Sequence, residues 1–277
     1  MQYLAFEFAL QEEWQKDIII VALNQLEFVG FEEKEESFIA YISINDFKEE
    51  AFGEFITRAE NIFPVSYLKT EIADQNWNAL WEKNFPPIVI DNTIAIRASF
   101  HNPFPEVKYE ILIDPKMSFG TGHHATTFMM LELMVAETFD NKSVLDFGCG
   151  TGILSVLASK KNAFVILAVD NDQWAFQNAT ENFVMNGVTN AEIVLGDHAA
   201  FADKTFDVIL ANINLNVIID ALHSFALSLK KNGSLLISGF LEHDESAITT
   251  AAAAVKLSVR SILHKDGWAA MRFILEE

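Results

Sequence analysis

The densest chemistry in the sequence lies at Asp146-Phe147-Gly148-Cys149-Gly150-Thr151-Gly152. An apolar run, Ser143–Phe147, precedes it and a helical pattern follows, the strand–loop–helix setting of a nucleotide-type site. Glycines there let backbone approach a ligand closely, and a helix start offers unpaired N–H groups. The spacing is G-x-G-x-G, whereas dinucleotide sites show G-x-G-x-x-G. Asp146 stands just ahead of the first glycine. A carboxylate there would repel a pyrophosphate but suits an ammonium, such as that of the methionine half of S-adenosylmethionine. On this reading Asp146, Gly148 and Gly150 are candidate cofactor residues.

Three more polar positions close apolar runs. Asp170 ends Phe164–Asp170, 22 residues after Gly148. An acid at that place accepts both hydroxyls of a ribose, which fits S-adenosylmethionine and NAD equally. Asp197, in Gly196-Asp197-His198, is placed to accept from an adenine amino group. Asn212, in Ala211-Asn212-Ile213, follows the fourth run. Asp172 reads as a helix cap. Cys149 sits among acids, with no electropositive niche to activate a thiol. His123 and His124 are adjacent and have no acid or cysteine at ligand spacing, so no metal site is expected.

These residues need a scaffold that gathers strand ends. From about residue 120 the chain alternates strand and helix. Strands are expected at Ser143–Phe147, Phe164–Asp170, Ala191–Leu195, Phe206–Ala211 and Ser234–Ser238, with helices near 152–160, 172–186, 214–230 and 242–255. The strands are nearly continuous apolar runs, as in a parallel sheet covered on both faces. Such an open α/β sheet binds ligands at the carboxyl ends of its strands. Two closing runs, Lys256–His264 and Trp268–Leu275, meet at Asp266-Gly267 and predict an antiparallel hairpin at one sheet edge. The first 73 residues read differently, as β-α-β-β-α-β, the ferredoxin-like order. Their first helix spans Glu12–Leu26, with Trp14, Ile18, Val21, Ala22 and Leu26 at helical spacing. Residues 74–87 read as a linker with a short helix around Trp77 and Trp81, stopped by Pro86-Pro87. Residues 88–113 read as strands broken at His101–Pro105, and the third segment spans 88–277.

Two further strings carry a resemblance: Asp114-Pro115-Lys116-Met117-Ser118-Phe119-Gly120-Thr121-Gly122-His123-His124-Ala125-Thr126-Thr127, and Ala211-Asn212-Ile213. Together with the Asp146–Gly152 loop they resemble the PrmA family, methyltransferases of ribosomal protein eleven of the large subunit. The resemblance covers the whole chain. It implies a Rossmann-like, seven-stranded class I methyltransferase domain of α/β class, preceded by a ferredoxin-like substrate-recognition domain. It implies S-adenosyl-L-methionine as methyl donor, and lysine and N-terminal amines of the ribosomal protein as acceptors. Thr127, Gly148, Asp170 and Asn212 match the family's cofactor positions, with Thr126 and Gly150 as neighbouring candidates. The family commonly shows A-N-[IL]-[LY]; here Asn214 follows Ile213, which leaves the acceptor-side residue open.

Charge and composition set the outer bounds. The net charge is −20, and residues 1–60 hold 14 Asp/Glu against 4 Lys/Arg. That balance opposes a duplex-DNA footprint, which needs a positive stripe. It suits a cationic partner. No apolar run reaches the roughly 18 residues of a membrane span. The single cysteine rules out an internal disulfide. A cytoplasmic monomer is expected, without a secretory leader. The alternatives are an NAD-dependent dehydrogenase, a methyltransferase of another amine or of a nucleic-acid base, and a non-catalytic adaptor. For methyl transfer the expectation is that the Asn212 side-chain oxygen and a nearby backbone carbonyl accept from the amine. Gly120 and Gly122 suggest a mobile cover over the site.

Overall fold

The computed structural model describes residues 3–10, 12–34, 37–72, 85–114, 116 and 118–276. The chain divides into two compact units, Met1–Phe85 and Pro86–Glu277. The linker helix expected at 74–87 lies almost wholly outside the described residues, which resume at Phe85.

The first unit runs β1 (Tyr3–Ala9), α1 (Glu13–Gln25), β2 (Gly30–Glu33), β3 (Ser37–Ser43), α2 (Glu49–Glu60) and β4 (Ser66–Ile72). Its sheet order is β2-β3-β1-β4, antiparallel throughout, the arrangement of a ferredoxin-like unit. Alternate residues of β1 point inward, so Leu4, Phe6 and Phe8 are buried beneath the helices. Phe8 stacks on Phe38 at 5.1 Å and Phe6 packs on Phe52 at 4.6 Å. In α1 the inward face differs from the one its spacing suggests. Gln15, Ile19 and Leu23 are buried, whereas Trp14, Ile18 and Val21 are exposed. Gln15 Oε1 accepts the Glu12 N–H at 3.2 Å, so the helix start turns Gln15 inward. Consecutive isoleucines at 18–20 let the helix roll one residue without losing its apolar side.

The second unit opens with a small sheet of β5 (Ile88–Ile90), β6 (Ile94–Arg97) and β7 (Tyr109–Leu112). Helix α3 (Ala125–Ala136) follows. Then come β8 (Ser143–Phe147), α4 (Ile153–Lys160), β9 (Val165–Asp170), α5 (Gln173–Met185), β10 (Ala191–Leu195), β11 (Phe206–Asn212), α6 (Leu215–Ser228), β12 (Leu229–Leu241), α7 (Glu245–Ala254), β13 (Leu257–Lys265) and β14 (Trp268–Leu275). The seven-stranded order is β10-β9-β8-β11-β12-β14-β13. Strands β8 to β12 are mutually parallel, and the closing hairpin adds β14 and β13 antiparallel at one edge.

Side-chain alternation divides this sheet's core in two. Val144, Ile166, Ala168, Val208 and Leu210 face one cluster with α3, α4 and α5. Leu145, Phe147, Leu167, Val169, Ile209 and Ala211 face the other, with α6 and α7. Burial of each large apolar side chain contributes about 1.5–3 kcal/mol, so two filled faces hold the strand ends in fixed register. Among the described residues, no helix is long and apolar enough to cross a membrane.

Candidate active site

A cavity of about 710 Å³ opens at the carboxyl ends of the parallel strands. Its lining follows the strand order. Asp197 comes from beyond β10, Asp170 from β9, Gly148 and Gly150 from beyond β8, Asn212 from β11, Gly239 from β12 and Trp268 from β14. Thr126, at the start of α3, also lines it. Six of the eight expected cofactor residues thus share one cavity.

The other two, Asp146 and Thr127, are fully buried and stand one layer behind the wall. Asp146 lies on the face of β8 that packs against α4. Both sides of β8 are apolar, so no periodicity in the sequence shows which way the acid points. Its Oδ2 accepts the Ser155 hydroxyl at 2.6 Å and the Ser155 N–H at 3.0 Å, and Oδ1 is buried without a partner. Burial pushes its pKa up to about 6, against the two Ser155 hydrogen bonds that lower it. Thr127 is fully buried, and its Oγ1 accepts the Asn212 side-chain amide at 3.1 Å. Asn212 Oδ1 is left buried and unpartnered. An orphan of this kind is uncommon in folded chains, because leaving it unmade costs about 1–3 kcal/mol.

The glycine loop behaves differently from an anion cradle. Gly148 and Cys149 N–H both donate to Val169 O, at 2.8 and 3.1 Å. Gly150 N–H donates to Asp170 Oδ2 at 2.8 Å, Thr151 N–H to Phe119 O at 3.0 Å, and Gly152 N–H to Cys149 O at 2.8 Å. Five consecutive N–H groups are therefore consumed inside the protein, and the expectation of unpaired donors fails. A pyrophosphate would find no donors at these positions, whereas a cationic or neutral ligand needs none. Close approach explains two of the glycines. A Cβ on Gly148 would lie 2.3 Å from Ile213 Cγ2, and one on Gly150 would lie 2.4 Å from Phe119 O. Both backbones are left-handed, with φ of +72° and +55°.

Asp170 has two internal tasks. Beyond Gly150 N–H, its Oδ1 accepts the Asp172 N–H at 3.0 Å. Each carboxylate oxygen keeps a further lone pair for a ligand hydroxyl. Asp172 caps α5 through Trp174 N–H, and Asp197 accepts Ala199 N–H at 2.8 Å. The segment before α3 is tied down: besides the Phe119 carbonyl, Gly120 O accepts the Thr151 hydroxyl at 2.5 Å. The two strings singled out in the sequence are thus hydrogen-bonded to each other. Cys149 is buried, with its thiol pKa raised by burial and by Asp146 and Asp170, so it is an inert loop residue.

Three aromatic residues of the cavity wall were not picked out for this site from the sequence. Phe119, His124 and Trp268 all line the cavity. Phe119 belongs to the F-G-T-G string. Trp268 starts β14 just after the Asp266-Gly267 turn, and only the antiparallel hairpin brings it to the carboxyl ends of β11 and β12. His124, considered above only as a metal ligand, accepts Thr126 N–H and caps α3.

The fit to S-adenosylmethionine rests on this geometry. The acids at β9 and β10 suit the hydroxyls and amino group of an adenosine, and the loop between them and Asn212 keeps Gly148 and Gly150 in the cavity wall. Comparison with known proteins agrees. Residues 7–275 match the family described as Ribosomal protein L11 methyltransferase (PrmA). The chain belongs to the PrmA family. A Ribosomal protein L11 methyltransferase of Phocaeicola vulgatus is 36% identical over 285 residues, covering 100% of both chains. One from Bacteroides fragilis is 37% identical over 284 residues, covering 99% of this chain and 100% of that one. The crystal structure of a ribosomal protein L11 methylase from Lactobacillus delbrueckii subsp. bulgaricus has 24% sequence identity and a TM-score of 0.65, over 70% of this chain and 100% of that one. That likeness shows the shared fold, a class I methyltransferase sheet.

Proposed function

We propose that the protein transfers methyl groups from S-adenosylmethionine to amines of ribosomal protein L11, at lysine side chains and the N-terminus. The observation that carries this reading is Asn212 Oδ1, buried and unpartnered on a residue that lines the sheet-end cavity. When bound, S-adenosylmethionine supplies the methyl group on an activated sulfonium. The chain's own task is then to hold the two reactants in line and to exclude water.

An amine attacks only when neutral. Freeing a lysine from its proton at pH 7 costs about 4.6 kcal/mol from a pKa near 10.4, and an N-terminal amine near 7.8 costs about 1 kcal/mol. Among the described residues, the carboxylates lining the cavity are Asp170, Asp172 and Asp197, which follow β9 and β10, and no dedicated base is assigned. Asn212 Oδ1 accepts one amine N–H and orients the lone pair, and Thr127 holds the amide that carries it. Asp170 accepts the ribose hydroxyls, Asp197 the adenine amino group, and Gly148, Gly150 and Thr126 shape the wall. Asp146 acts from behind the loop by fixing α4 through Ser155. We further propose a cytoplasmic monomer that needs neither duplex DNA nor a membrane, in keeping with its −20 charge.

Calorimetry with S-adenosylhomocysteine and with NAD tests the donor half of this reading. The expected result is saturable binding of the first and none of the second. Binding of NAD alone would point to a dehydrogenase instead.

A further inference from the structure

Resting on S-adenosylmethionine as the donor, we infer that Thr151 and Asn182 are positioning residues for it: a buried latch that holds the glycine loop against the Phe119–Gly120 segment without touching the ligand. Both residues are fully buried, and neither lines the cavity. The groups they hold, Gly150 and Phe119, do line it.

Thr151 commits three polar groups at this junction. Its N–H donates to Phe119 O at 3.0 Å, and its hydroxyl donates to Gly120 O at 2.5 Å. Its carbonyl accepts the Asn182 side-chain amide at 2.8 Å. Gly120 and Asn182 each lie 31 residues from Thr151, so no local pattern joins them. One residue earlier, Gly150 N–H donates to Asp170 Oδ2 at 2.8 Å. A continuous run of bonds therefore leads from Asp170 through the loop to Phe119, and α5 closes it from behind. The packing leaves no slack. A Cβ on Gly150 would lie 2.4 Å from Phe119 O, and one on Gly152 would lie 2.6 Å from Phe183 Cε1, on the same helix as Asn182. A loop free to part from Phe119 would have to be ordered again by each ligand, and that ordering weakens binding.

The helix that carries Asn182 argues for a task beyond stability. Asn178 and Asn182 stand one turn apart and are both buried in α5, although Asn is a poor helix former. Asn182 Nδ2 also donates to Asn178 Oδ1 at 3.3 Å, yet Asn182 Oδ1 and Asn178 Nδ2 stay buried without partners. Buried amides with open ends are less favourable than apolar side chains of similar size. What the pair secures is the bond to Thr151 O, a directional contact that an apolar residue cannot make. Asn190 makes the same kind of clip at the opposite end of the sheet. Its Nδ2 donates to Ala163 O at 2.6 Å, ahead of β9, and its Oδ1 accepts the Ser159 hydroxyl at 2.6 Å. None of these three lines the cavity, so Asn190 is a matched control.

Calorimetry with S-adenosylhomocysteine on the full chain, paired with thermal melts, tests the latch. Thr151→Val removes the hydroxyl and keeps the shape. It should bind at least about five-fold more weakly, the weight of one hydrogen bond. Thr151→Ser should recover the wild-type affinity to within about two-fold. Asn182→Leu should also bind at least about five-fold more weakly. Asn190→Ala should lower Tm yet change affinity by less than about two-fold. Should Asn182→Leu fail to fold, the two Thr151 variants decide alone. Thr151→Val within about two-fold of wild type, or Asn190→Ala weakening binding as much as Thr151→Val, would overturn the proposal. Failure of the underlying reading looks different: a wild type that binds no S-adenosylhomocysteine removes the donor and the latch together, whereas equal binding by wild type and every variant removes the latch alone.

Discussion

Asn212 and Thr127, 85 residues apart in sequence, are joined by one hydrogen bond from Nδ2 to Oγ1 at 3.1 Å. Neither residue explains the arrangement alone. The bond fixes the amide plane and so decides that the carbonyl oxygen is the atom left unpartnered. Thr127 is buried and bonded to Asn212, so its proposed role is to act through Asn212.

Thr127→Val removes the acceptor while keeping the shape. A lost hydrogen bond is worth about 1 kcal/mol, so kcat should fall by roughly five-fold. KM for S-adenosylmethionine should move by less than about three-fold, and Thr127→Ser should restore kcat. Steady-state kinetics with a lysine acceptor check this. An unchanged kcat in Thr127→Val would end the positioning role.

Asp170→Ala removes the Gly150 N–H acceptor and both proposed ribose contacts. Hydrogen bonds to a charged group are worth about 1.5–3 kcal/mol each, so S-adenosylhomocysteine should bind at least about 100-fold more weakly by calorimetry. A change under about five-fold would remove the ribose from Asp170.

Gly148→Ala places a Cβ 2.3 Å from Ile213 Cγ2 at a φ of +72°. Gly187 offers the control, with a φ of +65° and nothing within 4 Å of its Cβ position. Backbone strain alone costs about 1–2 kcal/mol, or about 2–8 °C in Tm for a unit of this size. Gly187→Ala should lose that much and keep its cofactor affinity. Gly148→Ala should lose more and bind S-adenosylhomocysteine at least about ten-fold more weakly. Equal behaviour of the two variants by thermal melts and calorimetry would contradict the close-packing account.

Asp146 gives a pH dependence. Its folded pKa is raised, to about 6 from 3.8, so the folded state holds the proton more tightly than the unfolded one. The associated stability is fully present below pH 3.8 and lost as pH rises through 6. A shift of about two units corresponds to about 3 kcal/mol. Asp146→Asn lacks the ionisation, so the wild-type-minus-variant difference in unfolding free energy should fall by about that amount between pH 4 and pH 7 in urea titrations. A flat difference would mean that the carboxyl is not buried as described.

Much of this site was legible because the parallel sheet puts chemistry at the ends of apolar runs. Asp170, Asp197 and Asn212 each close such a run, and the G-x-G-x-G loop marks the strand between them. What escaped reading has physical causes. β8 is apolar on both faces, so nothing in its pattern shows that Asp146 turns toward α4. The three isoleucines of α1 allow either of two faces, and a capping glutamine chose. The loop's N–H groups are consumed by Val169, Asp170 and Phe119, partners that no local pattern reveals. Trp268 reaches the cavity only because the closing hairpin inserts β14 beside β12, more than fifty residues from Asn212. The cover expected from Gly120 and Gly122 is hydrogen-bonded to Thr151.

Methyl transfer to amines, with Asn212 orienting the acceptor, can be tested in a single reaction. The most direct measurement is incubation of the full chain with recombinant ribosomal protein L11 and isotopically labelled S-adenosylmethionine, followed by peptide mass mapping of wild type and Asn212→Ala. The account predicts added methyl mass on lysine or N-terminal peptides with the wild type, and at least about ten-fold slower transfer with the variant at saturating donor. Wild-type transfer confined to a non-amine position, or an Asn212→Ala rate equal to wild type, would contradict it.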